Sequence, residues 1–340
     1  MAAQTRPRDP AGTPDRHLNH GIAFDRYGDP DVLAAVTLPQ AVPGPGDLVV
    51  QVAAAGVNPA DALLRAGALR RFARLRLPFV PGSDVAGVVA AVGAGVTAFR
   101  PGDPVYAMLP STTGGGYARQ VTVPAAHAAP APVGLPLGDA AAVPLAGLTA
   151  LQALRDRAGL TDGADLLING ASGGVGHLAV QIAVALGARV TAVTSGRNAE
   201  FVAGLGAAEV VDYQRHDPAG LGARFDVVFD AVNTLPFRRS RRLLRPGGTA
   251  VTVQPVAEKF APDWLAWTRG GRRLRSVFVR PDGADLRTLA DWIERGRLRP
   301  AVEHRYPLAG AVQAHRRIET RRVRGKLLLT VDPDRAATIL

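Results

Sequence analysis

The chain has 340 residues, enough for two domains with separate cores. It is 47% hydrophobic and 20% charged, with a formal net charge of +11 and no cysteine. That composition is ordinary for a globular protein, and the missing cysteines exclude disulfides, cysteine nucleophiles and thiolate metal sites.

Residues 1–20 are polar, contain proline, and include Asp9 and Asp15. They lack the apolar stretch of a signal peptide, so a disordered tail ahead of a cytoplasmic protein is expected. The fold is expected to start near Gly21. Residues 21–130 read as β-rich, within a first domain expected over 21–145. Apolar runs at 48–54, 84–92, 104–108 and 117–123 predict strands, and turn residues such as Pro43-Gly44-Pro45-Gly46, Gly82, Gly93 and Gly102 separate them. Many short strands with glycine turns suggest a compact barrel-like domain. A short helix is expected over 62–65, with Asp61 as a candidate cap.

From about residue 140 the texture changes. A helix is predicted over 140–158. Strands at 165–169, 189–194, 210–212, 226–230 and 249–253 then alternate with helices at 175–186, 199–205 and 236–244. Over residues 146–282 this alternation predicts a doubly wound parallel sheet, an α/β architecture. A strand at 274–280, helices at 284–295 and 309–318, and a strand at 325–331 follow. Residues 283–335 are expected to return to the first domain. The longest apolar runs, 85–99 and 140–154, are too short to span a bilayer and are interrupted by glycine or proline, so no membrane partner is expected.

The most informative stretch lies between the first two strands of the alternating region. The apolar run Leu166-Leu167-Ile168-Asn169 meets Gly170-Ala171-Ser172-Gly173-Gly174-Val175-Gly176, and a helical pattern begins at once. A strand, a glycine turn and a helix N-terminus form the arrangement that receives a dinucleotide pyrophosphate. Glycines let the backbone approach the phosphates, and the N–H groups at the helix start favour negative charge. The next strand ends in Thr194-Ser195-Gly196-Arg197-Asn198. An NAD enzyme usually carries a carboxylate there for the ribose 2′-hydroxyl. Hydroxyls and an arginine suit a 2′-phosphate instead, so NADPH is the expected cofactor.

The positive charge raises nucleic acid as a partner. Yet 38 of the 40 basic residues are arginine, spread through the chain. Their clusters, such as Arg238-Arg239-Ser240-Arg241-Arg242, have no interleaved aromatic platform. Nucleic acid is therefore not the expected partner. The seven histidines are scattered without metal-ligand spacing, so no metal is expected.

Several motifs share one order and spacing. They are Asp25-Arg26-Tyr27-Gly28-Asp29-Pro30, Gly56-Val57-Asn58-Pro59-Ala60-Asp61, Pro78-Phe79-Val80-Pro81-Gly82-Ser83-Asp84-Val85-Ala86-Gly87, Gly115-Gly116-Tyr117-Ala118, Gly147-Leu148-Thr149-Ala150, the glycine turn, and Arg324-Gly325-Lys326-Leu327. In these the chain resembles the zinc-free, zeta-crystallin-like quinone oxidoreductase branch of the medium-chain dehydrogenase/reductase superfamily. The resemblance implies a GroES-like catalytic domain around a Rossmann domain, an active site in the cleft, and a homodimer joined by edge strands near residues 274–279. Zinc-dependent relatives carry a cysteine ligand where this chain has Asn58 and a His-Glu pair near Ser83-Asp84.

The resemblance also distributes roles. Gly173, Gly174, Val175 and Gly176 would hold the pyrophosphate, Thr194, Ser195 and Arg197 would meet the 2′-phosphate, and Tyr213 would lie near the adenosine. Thr149, Val253 and Gln254 would line the nicotinamide, and Lys326 would close the cofactor cleft. Asn58 and Asp61 would sit at the active-site floor, where an amide can donate to an oxygen gaining charge. Asn58 could instead form a turn before proline. Tyr106 and Tyr117 are candidate proton donors, with Tyr117 also read as packing under its glycine turn. His177 is expected to be solvated or interdomain, and Asp84 a structural partner. The implied activity is hydride transfer from NADPH to a quinone or to the C=C of an α,β-unsaturated carbonyl. The alternatives are a dedicated biosynthetic enoyl reductase, with Trp264 and Trp267 walling the cleft, and an NADPH-regulated RNA-binding protein.

Overall fold

The computed structural model describes residues 18–71, 73–253 and 271–340. Strands β1 (Leu18–Ala23) and β2 (Ala34–Pro39) form an antiparallel pair. Next come β3 (Asp47–Val57), α1 (Pro59–Arg65), β4 (Asp84–Val92), β5 (Pro104–Met108), β6 (Gln120–Pro124) and β7 (Ala128–Pro130). Helices α2 (Leu137–Ala140) and α3 (Pro144–Leu151) follow, and α3 runs on into a wider π-helical stretch, Gln152–Ala158. The single helix expected over 140–158 is thus interrupted. Pro144 has no N–H to continue a helix and instead opens α3.

The alternating region holds β8 (Asp165–Asn169), α4 (Gly176–Ala185), β9 (Arg189–Thr194), α5 (Ala199–Ala203), β10 (Glu209–Asp212), β11 (Phe225–Asp230), α6 (Phe237–Leu243), β12 (Leu244–Thr252) and β13 (Arg273–Ser276). The chain ends with α7 (Gly283–Glu294), β14 (Val302–Pro307), α8 (Ala311–Glu319), β15 (Lys326–Thr330) and α9 (Pro333–Ala337). The fold starts at least three residues before Gly21, and the β1–β2 pair was not anticipated.

Strands β8 to β13 pair in parallel in the order β10-β9-β8-β11-β12-β13. The order reverses between β8 and β11, and ligands bind outside the carboxyl ends of strands at such a switch point. The other large sheet runs β14-β15-β3-β4-β5-β7. The long strand β3 organises it. One edge pairs with β4, while the other pairs first with β6 and then with β15. The C-terminal segment therefore returns to the first sheet. Its register sets Leu327 opposite Val57, which brings Lys326 level with Asn58.

Helix α3 lies where the two halves meet. A Cβ added at Gly147 would come 2.9 Å from Leu289 of α7 and 3.1 Å from Val143, so glycine there permits close packing. One buried core is continuous from Ala54 and Tyr106 of the first sheet, through Leu148, to Ile168 and Phe229 of the second. The two sheets are thus joined by shared apolar packing, which holds the ends of β3, β4 and β15 beside the glycine turn after β8.

Candidate active site

Strand β8 buries Leu166, Leu167 and Ile168 completely and delivers the chain to the glycine turn. Gly170 has a φ of +79°, and a Cβ there would lie 2.4 Å from Val232. At Gly176 a Cβ would lie 2.1 Å from the Gly170 carbonyl oxygen. Those two glycines are required by the turn itself. Gly173 and Gly174 differ, since nothing approaches a Cβ at either closer than 3.4 Å. The open side of the turn faces the N-terminal end of α4, where backbone N–H groups gather and the helix dipole favours an anion. This cradle fits a dinucleotide pyrophosphate.

Ser172 ties the turn to two other segments. Its hydroxyl accepts from Thr194 Oγ1 at 2.9 Å and from Asn198 Nδ2 at 3.0 Å. Its carbonyl accepts from the Gly325 N–H at 2.9 Å. Thr194 and Ser195 are buried at the end of β9, and Arg197 is exposed beside them. Tyr213 is exposed, and its N–H donates to the Thr194 carbonyl. Asp212 lies against Gly196, with Arg215 3.7 Å from its carboxylate. Ser172 and Asn198 were missed in the sequence because each works through a hydroxyl or amide whose partner is distant in the chain.

A second cluster sits beside this turn. Lys326 is 3% exposed, Asn58 2% and Asp84 0%. The Lys326 ammonium donates to Asn58 Oδ1 at 2.6 Å and to Asp84 Oδ2 at 2.9 Å. Asn58 Nδ2 donates to the same Asp84 oxygen at 2.9 Å, closing a triangle. The other oxygen, Asp84 Oδ1, accepts from the Leu145 N–H at 2.6 Å, at the start of α3. One turn later Thr149 is buried, and its hydroxyl donates to the Leu145 carbonyl at 2.6 Å. Asp84 is thus the structural hydrogen-bond partner expected, and it joins Asn58, Lys326 and the start of α3. Glycine at 56 makes room for it, because a Cβ there would lie 2.5 Å from Asp84 Oδ2.

Asp61 is not drawn into that triangle. Its carboxylate accepts from the Asn58 N–H at 2.9 Å and the Gly82 N–H at 3.3 Å. Burial pushes this carboxyl up to about 7. Asp61 therefore braces the start of α1, where Pro59 is the first helical residue, and holds the Asn58 backbone. Tyr117 Oη lies 3.5 Å from Asp61 Oδ2 and 3.2 Å from His315 Nε2. Burial, helped by the charge of Arg65, pulls His315 down to about 3. Tyr117 packs against Gly82, where a Cβ would meet its ring at 2.6 Å. Tyr106 Oη donates to the Leu286 carbonyl.

Of the two positions expected for His177, solvated or interdomain, the structure shows the second, with the ring buried. One ring nitrogen lies 3.0 Å from the Gly173 carbonyl, and the other accepts from the Ala301 N–H at 3.1 Å. Burial pulls its pKa down to about 4. Val253 is half-buried just past β12. Gln254, Trp264 and Trp267 lie outside the described residues.

The donor set around Asn58 does not suit a zinc ion. It offers one carboxylate and one amide, and a lysine ammonium is already bound between them. Zinc sites are built from thiolate, imidazole and carboxylate ligands. Among the described residues, no three histidines or carboxylates are grouped for a metal. No described helix is long and apolar enough to cross a membrane.

Comparison with known proteins agrees with this geometry. The alcohol dehydrogenase GroES-like domain family matches residues 44–133, and the zinc-binding dehydrogenase family matches residues 205–329. The chain is 33% identical to a chloroplast envelope quinone oxidoreductase homolog of Arabidopsis thaliana, over 92% of this chain and 98% of that protein. It is 31% identical to a mitochondrial NAD(P)H oxidoreductase of Danio rerio (92% and 91%) and 30% identical to a trans-enoyl reductase of Aspergillus terreus (85% and 87%). The solved quinone oxidoreductase of Coxiella burnetii superposes with a TM-score of 0.84 at 30% identity, covering 92% of this chain and 99% of that one. With its GroES-like domain and Rossmann-like parallel sheet, this chain is an oxidoreductase and belongs to the quinone oxidoreductase branch of the medium-chain dehydrogenase/reductase superfamily.

Proposed function

We infer that this protein is an NADPH-dependent, zinc-independent reductase of quinones or of the C=C bond of α,β-unsaturated carbonyls. The observation that carries this reading is adjacency. The Lys326 side chain passes 3.4 Å from the position of a Cβ at Gly174, and its ammonium ends on Asn58 and Asp84. The pyrophosphate cradle and a buried polar cluster are thus one lysine side chain apart.

When bound, the reduced nicotinamide supplies the hydride. The protein's own part is binding, orientation and electrostatics. Gly173, Gly174, Val175 and Gly176 offer the pyrophosphate an unobstructed backbone. Ser195 and Arg197 suit the 2′-phosphate, and Tyr213 offers an exposed ring at the adenosine end. Thr149, Val253 and Gln254 belong to the nicotinamide side in this reading. With the ammonium bound between Asn58 and Asp84, no metal is needed to polarise an acceptor that already accepts hydride readily. The trans-enoyl reductase relative keeps a second reading in place, a dedicated reductase of one biosynthetic enoyl substrate. Cytoplasmic residence and a homodimer joined through β13, the last strand of its sheet, belong to the same account. Sedimentation at micromolar concentration checks the dimer, which a monomer would refute.

The test is NADPH oxidation, followed by absorbance, against panels of quinones and enones with NADH as control. Turnover confined to NADPH supports the cofactor reading, and the better panel assigns the acceptor. Equal use of NADH overturns the assignment of Ser195 and Arg197.

A further inference from the structure

We propose that Lys326 is a catalytic residue, whose ammonium donates a hydrogen bond to the acceptor oxygen as that oxygen gains negative charge. This rests on the reductase reading above and deepens it, because closing the cofactor cleft asks nothing of the ammonium beyond its charge.

Three observations carry the assignment. The first is the direction of the side chain. Its Cδ lies 3.4 Å from the position of a Cβ at Gly174, while the ammonium is committed to Asn58 Oδ1 and Asp84 Oδ2 at 2.6 and 2.9 Å. An ammonium has three N–H donors. Two are used, and the third has no partner among the described residues. The second is how firmly the group is held. Strand register sets Lys326 level with Asn58 and Asp84 opposite Gly56. Asp84 is in turn fixed by the Leu145 N–H. A donor held this way needs no reorganisation when charge appears, and its burial strengthens the interaction. The third is compositional. Only Lys259 and Lys326 are lysines among 40 basic residues. In a chain that otherwise uses arginine, a buried site keeps the compact, tetrahedral cation and not the planar fork.

The arrangement also revises the part of Asn58. Its amide oxygen accepts from Lys326 and one of its two N–H donors is given to Asp84, so it aims the ammonium as well. In the reaction the acceptor gains a hydride and its electron pair, the nucleotide is oxidised, and the excess charge settles on the acceptor oxygen against Lys326 Nζ. A proton from water then completes the product, on oxygen for a hydroquinone and on the α-carbon for a saturated carbonyl.

The experiment compares the wild-type chain with Lys326→Met and with the double variant Lys326→Met/Asp84→Asn. The double variant leaves no unpaired buried charge, and it is the one measured if the single variant fails to fold. Three quantities are read: NADPH affinity by nucleotide fluorescence, affinity of the NADP⁺ complex for 4-nitrophenolate as a mimic of the anionic oxygen, and kcat with the best quinone or enone. Expected are NADPH affinity within about threefold of wild type, phenolate affinity weaker by about tenfold or more, and kcat lower by about a hundredfold. A large loss of NADPH affinity with phenolate binding intact would make Lys326 a pyrophosphate clamp and overturn the proposal. Unchanged phenolate affinity and kcat would make the ion pair purely structural. The phenolate arm needs no turnover. A wild-type chain that binds NADPH but reduces neither panel therefore sinks the reductase reading separately, while phenolate binding still decides the lysine.

Discussion

His177 and Ala301 are joined across the two halves of the molecule: the imidazole on α4 accepts the Ala301 N–H at 3.1 Å just before β14. The opposite ring nitrogen lies 3.0 Å from the Gly173 carbonyl in the phosphate turn. A single neutral ring thus couples the returning C-terminal segment to the nucleotide cradle, and protonation would destroy its acceptor.

Stability should therefore fall in mild acid. Below the ordinary histidine value of 6.5 the unfolded chain takes up protons that buried His177 refuses until about 4 and His315 until about 3. Folded stability from both is present above 6.5 and is lost as pH falls through that window, by up to about 3 kcal/mol for His177. Asp61 acts in the opposite sense, since its raised pKa of about 7 makes ionisation costly as pH rises from 3.8. Urea unfolding between pH 4 and 8 checks this. His177→Gln should flatten the acid limb, and an unchanged limb would refute the assignment.

The four glycines of the turn should separate into two classes. Gly176→Ala places a Cβ 2.1 Å from a backbone oxygen, so it should destabilise the fold by about 1–3 kcal/mol. Gly174→Ala meets nothing closer than 3.4 Å. It should leave thermal stability unchanged and still weaken NADPH binding, because the methyl occupies the phosphate side. Melting curves with and without NADPH distinguish the two.

Arg197→Ala should narrow the preference for NADPH over NADH by about tenfold, acting on affinity with little change in stability. The readout is the ratio of the two dissociation constants, and an unchanged ratio would return Arg197 to the ordinary solvated arginines of this chain.

Tyr117→Phe separates packing from chemistry. The hydroxyl touches His315 and Asp61 and has no contact with the Lys326 cluster. Its loss leaves a buried imidazole nitrogen unpaired and should cost about 1–3 kcal/mol of stability. The kcat should stay within about threefold of wild type, whereas a general acid is worth about 10²–10⁴. A collapse of kcat would make Tyr117 the proton donor after all.

What the sequence revealed was local. Strand 84–92 and the turn at 170–176 depend on an apolar run and on glycine spacing within a few residues, and both are where the pattern places them. The β1–β2 pair was hidden because β2 is short and largely exposed, with only Val36 and Leu38 half-buried. Lys326 and Asn58 are 268 residues apart, and only the β3–β15 register brings them together. Asn58 and Asp61, three residues apart at a helix start, stay joined through the Asn58 N–H, while the Asn58 amide turns to Asp84 and Lys326, partners that local spacing does not name. For His177 the sequence left solvated and interdomain positions open, because nothing nearby in it announces Ala301 as the partner.

The measurement closest to the central claim is NADPH oxidation by the purified chain with quinones and enones in parallel, using NADH as control. The account predicts turnover with NADPH on at least one panel and little with NADH. Tight NADPH binding with no reduction of any acceptor would contradict it.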